Sequence, residues 1–342
     1  MQALAIKYRP HTWADVVEQG STKVILQNQL DTGEIKHAYL FCGPAGCGKT
    51  TCARIFANDI NKGQGNPIEL DAASNNSVND VREIIQQAKT KSLDSEYKIF
   101  IIDECHALSN SAWQAMLKLI EEPPAKSIFI FCTTDPQKIP KTILSRVQRY
   151  DFQRISQKGL VDRLEYILQQ EGYKKYEKEA LEYIAKLADG GCRDGITYLD
   201  KCLAYSSDLT LENVVTALGV ADYDTMFKFT ENFFDHGNER KILETIDDMY
   251  TSGKDLTQFI KTYIKFLLDV EKYGVGCPWE YIQIPQIDTY MNELKEYGEY
   301  EYRVCQDLLR VMLTLSSELK YSTSPKTVIE CRLLVEYEGI VE

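Results

Sequence analysis

The chain has 342 residues, 44% of them apolar, which is enough for two or three domains that each bury a core. No apolar stretch reaches membrane-spanning length, and Met1-Gln2-Ala3-Leu4-Ala5-Ile6-Lys7 is too short and too soon interrupted for a signal peptide, so a cytoplasmic protein without membrane contact is expected. A formal net charge of −12 argues against a surface that coats nucleic acid everywhere: any contact must be confined to one face or shared among subunits.

From Lys36 to Phe152, short apolar runs alternate with helical segments. Ala38–Phe41, Pro67–Leu70, Lys98–Ile102, Ser127–Cys132 and Arg149–Phe152 are the expected strands, and the alternation implies a largely parallel sheet covered by helices. The first run leads into Gly43-Pro44-Ala45-Gly46-Cys47-Gly48-Lys49-Thr50, which fits G-x-x-x-x-G-K-[ST], and then into a helix from Thr51 to Ala57. A triphosphate must be wrapped by backbone N–H groups, and glycine lets the main chain turn tightly enough to point several of them inward; the following helix adds the positive end of its dipole. Lys49 is expected to reach the β- and γ-phosphates and the Thr50 hydroxyl to ligate magnesium.

The third run ends in Asp103-Glu104, at the strand end where open α/β sheets bind ligands. Asp103 is suited to hold magnesium or its water, and Glu104 to orient and polarise an attacking water. Alone, an Asp-Glu pair after a strand is more commonly a solvated or turn-forming pair; on a later strand of the same α/β segment as Thr50 it gains weight. Thr133 and Thr134 follow the next run, where a hydroxyl could meet the γ-phosphate or the water, or simply end a strand.

After Gln153 apolar residues recur at helical spacing through Leu160, Leu164, Ile167 and Leu168, then Ala180, Ile184, Leu187 and Ala188, which predicts a small helical domain. A third, all-helical domain is expected from the series Met226 to Leu267 with Tyr302–Leu319 and Ser324–Val341. The divisions are 1–153, 154–218 and 219–342. Gly274, Gly276, Pro278 and Pro285 interrupt the pattern, so that stretch reads as an exposed connection. The ten cysteines are scattered without a C-x-x-C pair, so they read mostly as small buried apolar residues, with no disulfide framework.

The series Lys7-Tyr8-Arg9-Pro10, the loop at 43–50, Glu69-Leu70-Asp71-Ala72-Ala73-Ser74, Ile102-Asp103-Glu104-Cys105-His106, Leu119-Ile120-Glu121-Glu122-Pro123-Pro124, Thr133-Thr134-Asp135-Pro136-Gln137-Lys138 and Ser145-Arg146 resembles the bacterial DNA polymerase III gamma/tau family, the ATPase of the sliding-clamp loader. The resemblance implies an α/β AAA+ P-loop domain, a helical lid and an all-α collar that joins subunits. It also implies ATP and Mg2+ as ligands, with other clamp-loader subunits, the sliding clamp and primer–template DNA as partners. Glu104, Lys49 and Thr134 would act at the chain's own ATP, with Gly43 to Thr51 and Thr133 around it. Arg146 would be an arginine finger inserted into a neighbour's site. Arg193 would be a lid arginine on the γ-phosphate, and Arg9, Pro10 and Val17 would lie near the adenine. Read without the family, Arg146 and Arg193 are surface charges and the Arg9-Pro10 segment is a plain N-terminal turn.

Four departures qualify the resemblance. The family's four-cysteine zinc module is replaced by Asn58 to Asn66, so no zinc is expected; stoichiometric zinc on metal analysis would contradict this. Where basic residues usually contact the template, this chain has Asn75-Asn76-Ser77, whose helix-start N–H groups could still receive a phosphate. The finger motif reads Ser145-Arg146-Val147, and the family's Gly-Gln element reads Glu18-Gln19. The chain stops at the collar, like a short gamma-type subunit. Two other readings compete: a different AAA+ DNA-remodelling ATPase, such as a helicase loader or branch-migration motor, and a non-catalytic clamp-loader subunit. The Glu-Glu-Pro-Pro and Thr-Thr-Asp-Pro-Gln-Lys elements speak against the first, and intact Lys49, Thr50, Asp103 and Glu104 against the second.

Overall fold

A computed structural model describes residues 2–92, 94–218, 223–253, 255–320 and 322–341. The chain forms two compact units, one running to Thr210 and the other starting at Leu211. The division expected at 218/219 adjoins residues 219–222, which lie outside the described residues, and the helix Leu211–Leu218 groups with the second unit.

The first unit is built on five parallel strands: β1 (Ala38–Cys42), β2 (Ile68–Asp71), β3 (Lys98–Asp103), β4 (Ser127–Thr133) and β5 (Gln148–Asp151), in the order β2-β3-β4-β1-β5. All five expected strands are present, with ends displaced by a residue or two. β1 and β4 are buried at every position, because helices cover both faces of the sheet, and so they read as unbroken apolar runs. Alternate side chains separate into two cores. On one face Leu40, Phe100, Ile102, Phe129 and Phe131 pack under Trp113 and Met116 of the helix Asn110–Glu121. On the other, Tyr39, Phe41, Ile99, Ile101 and Ile130 meet Cys52 and Phe56 of the helix Lys49–Ile60. The consequence for function is positional: β4 lies between β1 and β3, so the carboxyl ends of all three open onto one edge.

Three helices complete this unit, Gln157–Gln170, Lys178–Leu187 and Cys192–Tyr205, with Leu160, Leu164, Ile184 and Leu199 buried. Their apolar residues fall at i, i+3, i+4 spacing, which places one face of each inward.

The second unit is all-helical and is dominated by two long helices, Leu256–Gly274 and Glu299–Leu319. Phe227, Phe229, Phe233, Tyr263 and Phe266 are fully buried in its core, with ring pairs such as Phe227–Phe266 meeting edge to face at 4.8 Å. The stretch expected as an exposed connection is mostly exposed from Gly274 to Tyr281, but its end is not. Ile282 and Ile284 are fully buried, and Asp269, 2% exposed, accepts hydrogen bonds from the Gln283 N–H at 2.8 Å and Lys272 Nζ at 2.7 Å. Lys272 Nζ also donates to the Tyr281 carbonyl at 3.0 Å. Glycine and proline there end a helix and leave Val275 and Tyr281 exposed, and the chain returns to the core only from Ile282 onward.

Candidate nucleotide site

The loop leaving β1 turns on three glycines with positive φ: Gly43 at 154°, Gly46 at 70° and Gly48 at 103°. A side chain is excluded twice over at the first two. A Cβ on Gly43 would lie 2.5 Å from the Phe152 carbonyl oxygen, and one on Gly46 would lie 3.0 Å from Gly191 Cα. Lys49 opens the helix Lys49–Ile60; it is 6% exposed, and its Nζ donates to the carbonyls of Gly43 at 2.9 Å and Pro44 at 2.8 Å. The ammonium is thereby folded back into the loop it would share with a phosphate.

Thr50 Oγ1 donates to Asp103 Oδ2 at 2.7 Å, so a hydroxyl from one strand–helix turn and a carboxylate from the end of β3 converge. Glu104 follows with a left-handed φ of 45°, its N–H donating to Asp103 Oδ1 at 3.0 Å. This twist turns the Glu104 carboxylate towards β4, where Thr134 Oγ1 donates to Glu104 Oε2 at 3.0 Å. His106 Nδ1 lies 3.3 Å from the same oxygen and 3.1 Å from Thr133 Oγ1. Thr133 is fully buried, and its hydroxyl accepts from the Asp135 N–H at 3.0 Å, so Thr134 is the threonine whose hydroxyl meets Glu104.

Gly46, Gly48, Lys49, Thr50, Asp103 and Glu104 line a cleft of about 290 Å3 together with Arg9, Pro10, Val16, Val17, Ala45, Cys47, Thr51, Ile155 and Arg193, and Thr134 reaches it through Glu104. The helix Cys192–Tyr205 reaches it because the Cys192 N–H donates to the Gly46 carbonyl at 2.9 Å, which carries Arg193 to the loop. Burial first, and then the charges of Arg54 and Arg193, lower the pKa of the Arg9 guanidinium at this end of the cleft. Burial likewise raises the Cys47 thiol, which makes it a packing residue of the loop. All ten cysteines are free, seven of them buried and Cys331 exposed.

Arg146 stands apart from this cleft. Its guanidinium pairs with Glu121 at 2.8 Å, donates to the Thr142 carbonyl at 2.8 Å, and is 39% exposed. The helix start after Ser74 is also unlike the expectation of a free phosphate receptor. The helix Val78–Ala88 is capped by its own residues: Asp80 N donates to Ser77 Oγ at 3.3 Å, and Ser77 N donates to Asp80 Oδ2 at 2.9 Å. The Ser77 hydroxyl, which donates to Asp80 Oδ2 at 2.7 Å, and then the Ser77 N–H hold the Asp80 carboxyl below its usual pKa, so a carboxylate already caps this helix start.

The donor set fits a magnesium triphosphate: a glycine-turned loop, a lysine among its carbonyls, and a hydroxyl beside a carboxylate. Thr50 and Asp103 would hold the metal, which when bound supplies charge neutralisation at the phosphate oxygens. His106 and Gln19 entered the sequence reading only as members of the Ile102–His106 and Glu18-Gln19 stretches, with no role of their own. His106 lies two residues beyond Glu104 on the short turn Cys105–Ala107, a spacing that brings its ring back to the carboxylate. Gln19, 8% exposed, shows no chemical pattern of its own.

Residues 68–156 match the family model described as DNA polymerase III, delta subunit, and residues 160–208 match the DNA polymerase III clamp loader subunit, ATPase lid domain. The chain is 35% identical over 352 residues to DNA polymerase III subunit tau of Bacillus subtilis (strain 168), covering 96% of this chain and 62% of that protein. It is 35% identical over 274 residues to DNA polymerase III subunit tau of Escherichia coli (strain K12), covering 74% of this chain and 42% of that one. The chain thus spans less than two thirds of these relatives. The Thermotoga maritima RuvB Holliday junction branch migration motor shares the fold, with a TM-score of 0.54, 18% identity, and coverage of 85% of this chain and 99% of that one. The helices from Gln157 to Tyr205 therefore correspond to the matched ATPase lid, and the chain is similar to DNA polymerase III tau subunits over most of its own length.

Proposed function

We propose that this chain is the ATPase motor subunit of a sliding-clamp loader, working in the cytoplasm. ATP binding would order the subunits so that they grip and open the clamp, and primer–template DNA would trigger hydrolysis, which releases the clamp onto it. The observation that carries this reading is the convergence of Thr50 with Asp103 at 2.7 Å and of Thr134 with Glu104 at 3.0 Å on one cleft, with Arg193 at its edge and Arg146 outside it.

Each group has a task. The loop N–H groups and Lys49 would seat the phosphates, and Glu104 would orient a water in line with the γ-phosphorus and accept its proton. Thr134 would fix the Glu104 carboxylate. Arg9, Pro10 and Val17 would flank the base. Arg193 would report the γ-phosphate to the lid, so that its loss on hydrolysis frees the lid. Arg146, exposed and held by Glu121, would complete the site of the next subunit, with the helical second unit joining subunits into a ring or spiral. A branch-migration motor shares only the fold, whereas the lid model and the tau relatives favour the clamp loader.

The test is Arg146→Ala within the assembled complex. The variant chain alone should bind ATP as the unaltered chain does, while hydrolysis in the assembly falls by roughly 10³-fold or more, the order expected for a lost arginine finger. Normal hydrolysis by that assembly would remove the trans assignment.

A further inference from the structure

Glu18 and Gln19 are consecutive non-glycine residues with left-handed backbone, φ 53° and 55°. L side chains adopt this conformation rarely, and a pair of such residues persists where side-chain contacts hold it. Both side chains reach the connection between β5 and the first lid helix. Gln19 Nε2 donates to the Gln153 carbonyl at 2.7 Å, and its Oε1 accepts from the Gln153 N–H at 3.1 Å, so one amide grips one residue's backbone through both its N–H and its carbonyl. Glu18 Oε2 accepts from the Ser156 N–H at 3.1 Å, and its Oε1 accepts from Ser156 Oγ. Ser156 is the N-cap of the helix Gln157–Gln170, and its Oγ accepts from the Gly159 N–H at 3.1 Å. A Cβ on Gly159 would stand 2.7 Å from Glu18 Oε1, so the helix lacks a side chain where the carboxylate enters.

The other end of the same lid helix is gripped as well. Tyr8 Oη and Lys7 Nζ both donate to Glu171 at 2.5 Å, and Arg163 donates to the Tyr8 carbonyl at 2.7 Å. The N-terminal segment therefore spans the lid helix from end to end while Arg9, Pro10, Val16 and Val17 line the cleft between the two grips.

We infer that Glu18 is a positioning residue of the nucleotide site: its carboxylate locks the segment lining the base end of the cleft to the lid, and so holds Arg193 over the phosphate loop. The inference rests on reading the cleft as an ATP site. It predicts that Glu18 matters for a nucleotide with a γ-phosphate, through Arg193, and little for one without.

The experiment measures binding of ATPγS and ADP to the full chain and to Glu18→Gly, Gly159→Ala, Arg193→Ala and the double variant Glu18→Gly/Arg193→Ala. Glycine takes the left-handed backbone freely, so Glu18→Gly removes the carboxylate without adding strain. Gly159→Ala raises helix propensity while displacing the same carboxylate. Both should weaken ATPγS on the order of tenfold, the size of one charge-assisted hydrogen-bond pair, and leave ADP within about twofold. In the Arg193→Ala background, Glu18→Gly should have no further effect. Unchanged ATPγS binding, equal weakening of both nucleotides, or a loss that persists without Arg193 would overturn the inference. Should Glu18→Gly fail to fold, Gly159→Ala decides. An unaltered chain that binds neither nucleotide would instead remove the reading of the cleft, and this inference with it.

Discussion

Glu104 owes its direction to its backbone. At a φ of 45° its carboxylate leaves the line of β3 and meets Thr134 just past β4, while Asp103, one residue earlier, faces Thr50 on the loop side. Two adjacent carboxylates thus serve two different partners, which is the separation that metal holding and water activation require. Glu104→Gln should keep ATP binding and lower hydrolysis by about 10²- to 10⁴-fold, the usual share of a general base; equilibrium binding with single-turnover hydrolysis checks it, and unimpaired turnover would move the base elsewhere. Much of this pair was legible, because Lys49 and Thr50 stand in a loop pattern set by phosphate geometry and Asp103-Glu104 ends a later strand of the same α/β segment. His106, Glu18 and Gln19 were not legible as contacts. Their roles come from where the turn Cys105–Ala107 and a left-handed pair of residues point a side chain, and no periodicity encodes that.

At the scale of elements, the lid helix Gln157–Gln170 is held by carboxylates at both ends: Glu18 at its start, and Glu171 just past its end joined to Lys7 and Tyr8. Hydrogen bonds from Lys7 and then Tyr8 lower the Glu171 pKa, while burial and the Glu171 hydrogen bond raise the Tyr8 hydroxyl to about 12. A carboxyl lowered in the folded state contributes stability that is complete above its unfolded pKa and is lost as pH falls through the folded one. Glu171→Gln should therefore lower the melting temperature of the chain at neutral pH, and the difference should shrink as pH falls below about 4, where the unaltered carboxyl also protonates. A difference that stayed constant down to about pH 2 would show that the ion pair contributes nothing. The strands were the most readable elements, since a parallel sheet covered on both faces demands unbroken apolar runs such as Ile99 to Ile102. The segment from Gly274 to Pro285 was the least readable. The burial of its end, Ile282 and Ile284, goes with Asp269 of the preceding helix reaching forward to Gln283, a contact across a turn that glycine and proline content does not reveal.

Across the whole molecule the charge is divided unevenly. Residues 1–210 hold 26 Lys and Arg against 27 Asp and Glu, whereas residues 211–342 hold 13 against 24. The acidity thus belongs to the helical second unit, and the first unit is close to neutral. At 75–77, where the resemblance implies a template contact, this chain has Asn75, Asn76 and the self-capped Ser77–Asp80 turn in place of cations. Clamp loading by an assembly of this subunit should show a shallower dependence on salt than one built from a homologue with basic residues at 75–77, because fewer counterions are released; an equal or steeper slope would contradict this.

On the proposed function, the nucleotide in this cleft times the placement of a clamp on DNA. The decisive measurement is the ATPase rate of the assembled complex with neither addition, with the cognate sliding clamp, with primed DNA, and with both. Strong stimulation is expected only when clamp and primed DNA are present together, and Glu104→Gln should abolish it. Full stimulation by DNA alone, indifferent to the clamp, would mark the chain as a general DNA-dependent motor and rule out the clamp-loading role.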